Sequence, residues 1–202
     1  YSEPIVFYEY TLDTAKLAKE NGLYTAYVTN GYMTEEALDL IAPYLDAFRV
    51  DIKSSEDSFY QEISSVKSAE RVFDTTLHAK KLGLHIEAIT NIIPTKNDSE
   101  ENLKTIAEWI SKNLGVNTPW HITRFFPYYK LKDLPPTPME TLEKAYNIGK
   151  QAGLNFIYYG NVAGVSETKC PDCFVSAMLT LRTIKKSKTT TSRRHICKDR
   201  KW

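Results

Sequence analysis

The sequence predicts an α/β protein built on parallel strands, on three observations. Short β-rich runs alternate with amphipathic helical stretches. The helices have readable ends. Polar residues gather where the β-rich runs stop.

The β-rich runs are 24–28, 47–50, 85–89, 121–125 and 155–159, each bracketed by helix-forming sequence. Asp98 with Glu101 reads as a capping box, and Leu103, Ile106, Ala107, Ile110 and Leu114 then form one apolar stripe. Thr137-Pro138-Met139-Glu140 reads as an N-cap, a proline at the first helical position and an acid at the third. Its stripe is Leu142, Ala145, Tyr146 and Gly149, with Gly153 at the exit. Gly22 and Gly83 sit where two other helices end, and Thr34 before Glu35 and Glu36 opens another. Such alternation implies parallel strands joined by right-handed crossovers. A (β/α) barrel and a doubly wound sheet both satisfy it. No glycine-rich phosphate loop follows any strand, which weakens the dinucleotide-binding version.

The polar strand ends are Asn30-Gly31, Asp51-Ile52-Lys53, Asn91, Arg124 and Gly160-Asn161. In a (β/α) barrel the strand C-termini ring one mouth, where chemistry is done. A polar strand end is also simply where a loop begins. The set as a whole, with a carboxylate and a lysine two residues apart, favours a site.

Bulk properties narrow the class. The 202 residues are 42% hydrophobic, enough for one domain with a core. No apolar run has the length of a bilayer span, and no leader pattern opens the chain. Three cysteines argue against a disulfide scaffold, so a reducing cytoplasm is expected. Nine of the 26 Lys/Arg but one of the 25 Asp/Glu fall in residues 181–202, so this tail carries +8 and the preceding 180 residues −7. An acidic body is a poor nucleic-acid platform, and the basic tail reads as a solvated, disordered end. The chain starts at Tyr1, and its first residues read as the end of a strand, so a fragment is expected.

Six segments occur in one order: Ser2-Glu3-Pro4, Val28-Thr29-Asn30-Gly31-Tyr32, Val50-Asp51-Ile52-Lys53, Asn91-Ile92-Ile93-Pro94, 120–127, and Tyr159-Gly160-Asn161-Val162 followed by Cys170-Pro171-Asp172-Cys173. Order and spacing resemble radical S-adenosylmethionine (SAM) proteins similar to pyruvate formate-lyase activating enzymes, in the branch called AmmeMemoRadiSam-system radical SAM proteins. The resemblance implies a partial (β/α) barrel, here truncated at its N-terminus (residues 1–165), then a CxxC segment (166–180) and the basic tail (181–202). It implies a CxxxCxxC loop holding a [4Fe–4S] cluster, which cleaves SAM reductively to a 5′-deoxyadenosyl radical. It also implies a reductant protein of flavodoxin or ferredoxin type, and a substrate that the sequence does not identify. By the same resemblance Ser2 and Glu3 match the motif that meets the SAM amino group. Asp51 and Lys53 match the strand-end pair facing SAM, with the lysine on the methionyl carboxylate. Asn30 and Arg124 face the same cavity, and Asn91 follows more weakly. The cluster 125–129 is expected to wall the adenosine side.

The chain departs from that pattern in its cysteines. It holds no CxxxCxxC, and Cys173 and Cys197 are 24 residues apart. The loop is expected upstream of Tyr1, which leaves the fragment itself inactive. Cys170 and Cys173 offer half of a metal site, a redox dithiol or plain surface thiols. Two other readings stand beside the radical one. The first is a barrel using acid–base chemistry through Glu3, Asp51, Lys53 and His121. The second is a non-catalytic binding module with a basic tail. A lone strand histidine such as His121 is first of all a structural residue.

Overall fold

A computed structural model describes residues 3–163, 165–169 and 176–181. The chain divides into two compact units, 1–160 and 161–202.

In the first unit a single 3₁₀ turn (Pro4–Phe7) leads into α1 (Tyr8–Glu20) and β1 (Ala26–Thr29). Then follow α2 (Glu35–Ile41), β2 (Ala47–Asp51), the short α3 (Asp57–Phe59), which runs on as a π-helical turn (Tyr60–Ser64), and α4 (Glu70–Lys81). β3 (His85–Ile92), α5 (Glu100–Trp109), β4 (Trp120–Arg124), α6 (Met139–Gln151) and β5 (Ile157–Gly160) complete it. All five strands are parallel and lie in the order β1-β2-β3-β4-β5. Sequential order decides between the two predicted architectures. A right-handed crossover that always steps to the next strand in one direction returns every helix over the same face. A doubly wound sheet reverses direction and covers both faces. The sheet is therefore the wall of a partial (β/α) barrel.

The pleat divides each strand between the two faces. Phe48, Val50, Ile86, Ala88, Trp120 and Ile122 alternate onto the helix side and are buried to 3% exposure or less. Leu103 and Ile106 of α5 and Leu142 and Ala145 of α6 meet this layer and are also fully buried. Removing such an aliphatic side chain typically costs about 2–5 kcal/mol. Gly149 sets how closely α6 approaches. A Cβ there would stand 2.6 Å from Ile157 Cδ1 and 3.0 Å from Trp120 Cε3, so only glycine lets this helix lie on the sheet.

Every predicted strand is present, shifted by two residues or fewer at its start. The helix signals fare less evenly. Thr34 caps α2 by accepting from the Ala37 amide, and Gly22, Gly83 and Gly153 take positive φ at helix exits, as expected. The cap of α5 is Ser99, whose hydroxyl accepts from Asn102 N, whereas Asp98 accepts from Thr95 N in the preceding turn. Thr137 is not a cap. Its buried hydroxyl accepts from Phe125 N at 2.8 Å and donates to Ile92 O at 2.6 Å, so it ties the end of β3 to the end of β4, and α6 begins without a side-chain cap.

Among the described residues β1 pairs on one side only, with β2. Val6, Tyr10, Leu17 and Tyr24, on and around α1, are more than half exposed.

The second unit contains an antiparallel pair, β6 (Val165–Lys169) with β7 (Ser176–Leu181), with an irregularity between Thr168 and Lys169. Residues 170–175 and 182–202 lie outside the described residues, and with them the expectations for the CxxC pair and the basic tail.

Thr137→Val keeps the shape of the side chain but leaves Phe125 N and Ile92 O without partners in the core. Urea unfolding is expected to show a loss of about 2–4 kcal/mol, the usual cost of two stranded buried groups.

Candidate functional site

The C-terminal ends of the strands place the predicted residues. Asp51 is the last residue of β2, and Lys53 follows two residues on, so both project to the face away from the helices. Lys53 Nζ lies 2.8 Å from Asp51 Oδ2, with both side chains 30–40% exposed. Asn30 follows the last residue of β1. Its side-chain oxygen accepts from Tyr32 N at 2.8 Å, which shapes the turn that Gly31 makes possible. Gly31 has φ +73°, and a Cβ there would meet Val50 Cγ2 at 2.7 Å.

Glu3 reaches this end of the sheet from the segment before α1. Its Oε1 accepts from Thr29 Oγ1 at 2.5 Å and its Oε2 from Asn30 N at 2.7 Å. The carboxylate thus staples the incoming segment to the tip of β1 and also caps the first turn through Ile5 N. The two oxygens of a carboxylate offer about four lone-pair sites, and these bonds use three of them among the described residues.

Beside these residues opens a cavity of about 320 Å³, lined by Asn30, Tyr32, Lys53, Tyr60, Ile63 and Val66. Burial pushes the Tyr60 hydroxyl up to about 12, partly offset by the Lys53 and Ser54 amides that donate to it. Tyr60 is therefore a neutral phenol at any physiological pH.

Arg124 departs from expectation. Along β4 it alternates with Trp120 and Ile122, so it belongs to the helix side and not to the face of Asp51. Its Nε donates to Thr137 O at 2.8 Å, and its guanidinium lies 5.2 Å from the centre of the Phe126 ring. Asn91 does lie on the open face, where its side-chain oxygen accepts from Thr123 at 3.3 Å. The aromatic run after β4 splits: Phe125 is buried, whereas Phe126, Tyr128 and Tyr129 are more than half exposed. Ser2, Cys170 and Cys173 lie outside the described residues.

The open face also carries a charged group that the sequence did not single out. Arg49 and Glu87 sit side by side on β2 and β3, and His121 Nε2 lies 3.0 Å from Glu87 Oε2. Arg49 Nε is 3.8 Å and His85 Nε2 3.6 Å from the same carboxylate. The ring of Tyr158 stands 5.3 Å from that of His121. His121 is thus engaged with Glu87 in the middle of the wall, two strands away from Asp51. That is not the acid–base grouping of Glu3, Asp51, Lys53 and His121. The hydrogen bond from His121, more than the neighbouring charges, holds the Glu87 carboxyl below the ordinary carboxylate range.

Fold and site together define the wall of a (β/α) barrel with a charged, polar mouth at its strand ends. The model of the Radical SAM superfamily matches residues 1–110, and the chain belongs to that superfamily. An uncharacterized protein of Methanocaldococcus jannaschii is 42% identical over 86% of this chain and 51% of its own length. A pyruvate formate-lyase-activating enzyme of Clostridium pasteurianum is 30% identical, over 67% of this chain and 60% of its own. An isethionate sulfite-lyase activating enzyme of Nitratidesulfovibrio vulgaris is 28% identical, over 64% and 40%. The chain spans about half the length of the curated relatives it matches. Among solved structures, a domain of a pyruvate-formate lyase-activating enzyme from Bacteroides vulgatus has a TM-score of 0.67 at 20% identity, covering 80% of this chain and 96% of that one. A radical SAM methyltransferase from Sphaerobacter thermophilus has a TM-score of 0.64 at 15% identity, covering 79% and 49%. At these identities the structures share the fold. Among the described residues no helix is long and apolar enough to cross a membrane.

Because Glu87 has a depressed folded pKa, its ionised form favours the fold. That contribution is complete above its ordinary value of 4.5 and is lost as the pH falls through the lower folded value. Unfolding free energies measured from about pH 5 down to about pH 3 should fall less steeply in Glu87→Gln than in the wild type. Equal slopes would show that His121 and Arg49 do not stabilise this carboxylate.

Proposed function

We propose that the residues at the ends of β1 and β2 bind the amino-acid end of SAM, and that the protein is a radical SAM enzyme of the glycyl-radical-activase type. The observation that carries this is the Asp51–Lys53 ion pair at the barrel mouth of a Radical SAM chain. An α-amino acid is a zwitterion. Lys53 presents an ammonium to its carboxylate, and Asp51 presents a carboxylate to its ammonium. In the absence of ligand the two satisfy each other. Each exchanges its partner for the matching group of the ligand, and neither is left unpaired. Asn30 borders the adjacent cavity, and Glu3 sets its position by holding the Asn30 amide. Ser2 belongs to the same segment. Arg124 enters only by its place at the mouth, as a prop for the loop carrying Phe126.

In this superfamily a [4Fe–4S] cluster and SAM together supply the radical chemistry. The three cysteines of this chain do not fit that cluster. Cys170 and Cys173 are separated by two residues, and Cys197 lies 24 further on. What the chain contributes is the SAM-facing wall: it orients the amino-acid end and offers a partly apolar cavity beside it. The names of the relatives from Clostridium pasteurianum and Nitratidesulfovibrio vulgaris support an activase, whose target is a glycine in a partner protein and whose electron comes from a reductant protein.

Calorimetric titration with SAM tests the site. Lys53→Ala and Asp51→Asn are each expected to weaken binding about 10- to 100-fold, the usual cost of losing one charge-assisted hydrogen bond. Wild-type affinity in both variants would overturn the assignment. The activase reading is tested in a longer chain that carries the CxxxCxxC segment, by the appearance of a glycyl-radical signal in the partner protein. SAM cleavage without that signal would exclude it.

A further inference from the structure

Lys53 is held through its backbone from both sides. Its N–H donates to the Tyr60 hydroxyl oxygen at 3.1 Å, and its carbonyl accepts from Asn97 Nδ2 at 2.6 Å. β2 has ended at Asp51, so Lys53 lies beyond the run of strand pairing with β1 and β3. Two side chains take over where the strand stops. They come from different segments, the π-helical turn after β2 and the loop between β3 and α5. Tyr60 is 3% and Asn97 2% exposed.

Asn97 does more than cap one carbonyl. Its Nδ2 also donates to Asn91 O at 3.0 Å, and its Oδ1 accepts from Ile93 N at 2.6 Å, so it joins the end of β3 to the segment after β2. Behind it, Asn102 Nδ2 donates to Asn97 O, and Asn102 Oδ1 accepts from Ser54 Oγ and Ser55 N. A buried polar plug of this kind is stable only when its members are satisfied, and it then fixes the backbone in one arrangement. An apolar plug of equal volume fills the space without fixing Lys53. The lysine itself has a flexible four-carbon stem, and its ammonium reaches Asp51 from the partly exposed side. Fixing the root of such a stem lowers the entropy lost when the ammonium engages an anion.

We propose that Tyr60 and Asn97 are positioning residues for Lys53, fixing its backbone so that the ammonium meets an anionic group at the end of β2 in a single register. This rests on the reading of Lys53 as a SAM ligand. Two conservative substitutions separate positioning from mere support. Tyr60→Phe removes the hydroxyl that accepts from Lys53 N and from the neighbouring Ser54 N, and leaves the ring in place. Asn97→Asp keeps the oxygen that accepts from Ile93 N but loses the donor to both Lys53 O and Asn91 O.

The test combines amide hydrogen exchange at Lys53, which needs no ligand, with SAM titration in the single variants and in the Lys53→Ala background. Tyr60→Phe is expected to speed exchange at Lys53 by about tenfold or more and to weaken SAM binding by about tenfold. Asn97→Asp should weaken SAM binding to a similar degree. In the Lys53→Ala background neither substitution should weaken binding further, because the residue they act through is gone. Unchanged SAM affinity in Tyr60→Phe alongside faster exchange would overturn the proposal, leaving a structural clamp. So would a loss that persists in the Lys53→Ala background. Should Asn97→Asp fail to fold, Tyr60→Phe decides alone. Wild-type affinity in Lys53→Ala would instead overturn the assignment of Lys53 itself, a separate failure read in a separate variant.

Discussion

Two parallel strands cannot be joined by a tight turn; the chain must travel back across the sheet before it can begin the next strand. In this protein the return is always made on the same side, and each new strand is laid beside the last. That constraint gives the molecule its asymmetry. One face is covered by helices and carries the apolar layer of Phe48, Val50, Trp120 and Ile122. The other is free to hold Arg49, Asp51, Glu87 and His121. The same constraint brings the strand C-termini to one edge, so Asn30, Asp51 and Asn91 come together although the chain separates them widely.

Polarity is arranged in depth along that open face. At the mouth Asp51 and Lys53 are part-exposed and bonded to each other. Halfway down, Glu87 is fixed by His121 with Arg49 nearby, and Arg49 Nε and His121 Nδ1 are buried without a hydrogen-bond partner among the described residues. Behind the mouth the polar groups are fully enclosed and satisfied, as in Asn97 and Asn102. Exposure therefore decreases from the ion pair to the plug behind it. That order suits a site whose charged tips must exchange partners while their backbones stay still.

The strands were legible because β-branched and aromatic runs and helical stripes are local signals. Asp51 and Lys53 were legible because a two-residue spacing at a strand end fixes a shared face. Helix caps were less so. Asp98 and Ser99 are both good caps by composition, and only the turn at Thr95 decides which oxygen is free. Thr137 has the look of a cap, but its hydroxyl is claimed by Ile92 and Phe125, the former 45 residues away in sequence. Arg124 was misplaced by a single residue of pleat, since its neighbour Thr123 does lie on the open face. Arg49 and Glu87 gave no signal, because a lone charge in a strand is as common on a solvent face as in a site. Tyr60 and Asn97 act on Lys53 across 7 and 44 residues, a relation that no local pattern encodes.

The unshared side of β1 bears on how the molecule behaves at high concentration. Among the described residues β1 pairs along one edge alone, with Tyr10, Leu17 and Tyr24 exposed around it, and an edge left open in this way is a template for another chain. No cluster of edge lysines guards 24–29, and no proline interrupts it. Self-association should be driven by apolar contact and stiffened by backbone pairing, so salts that strengthen the hydrophobic effect should promote it rather than screen it.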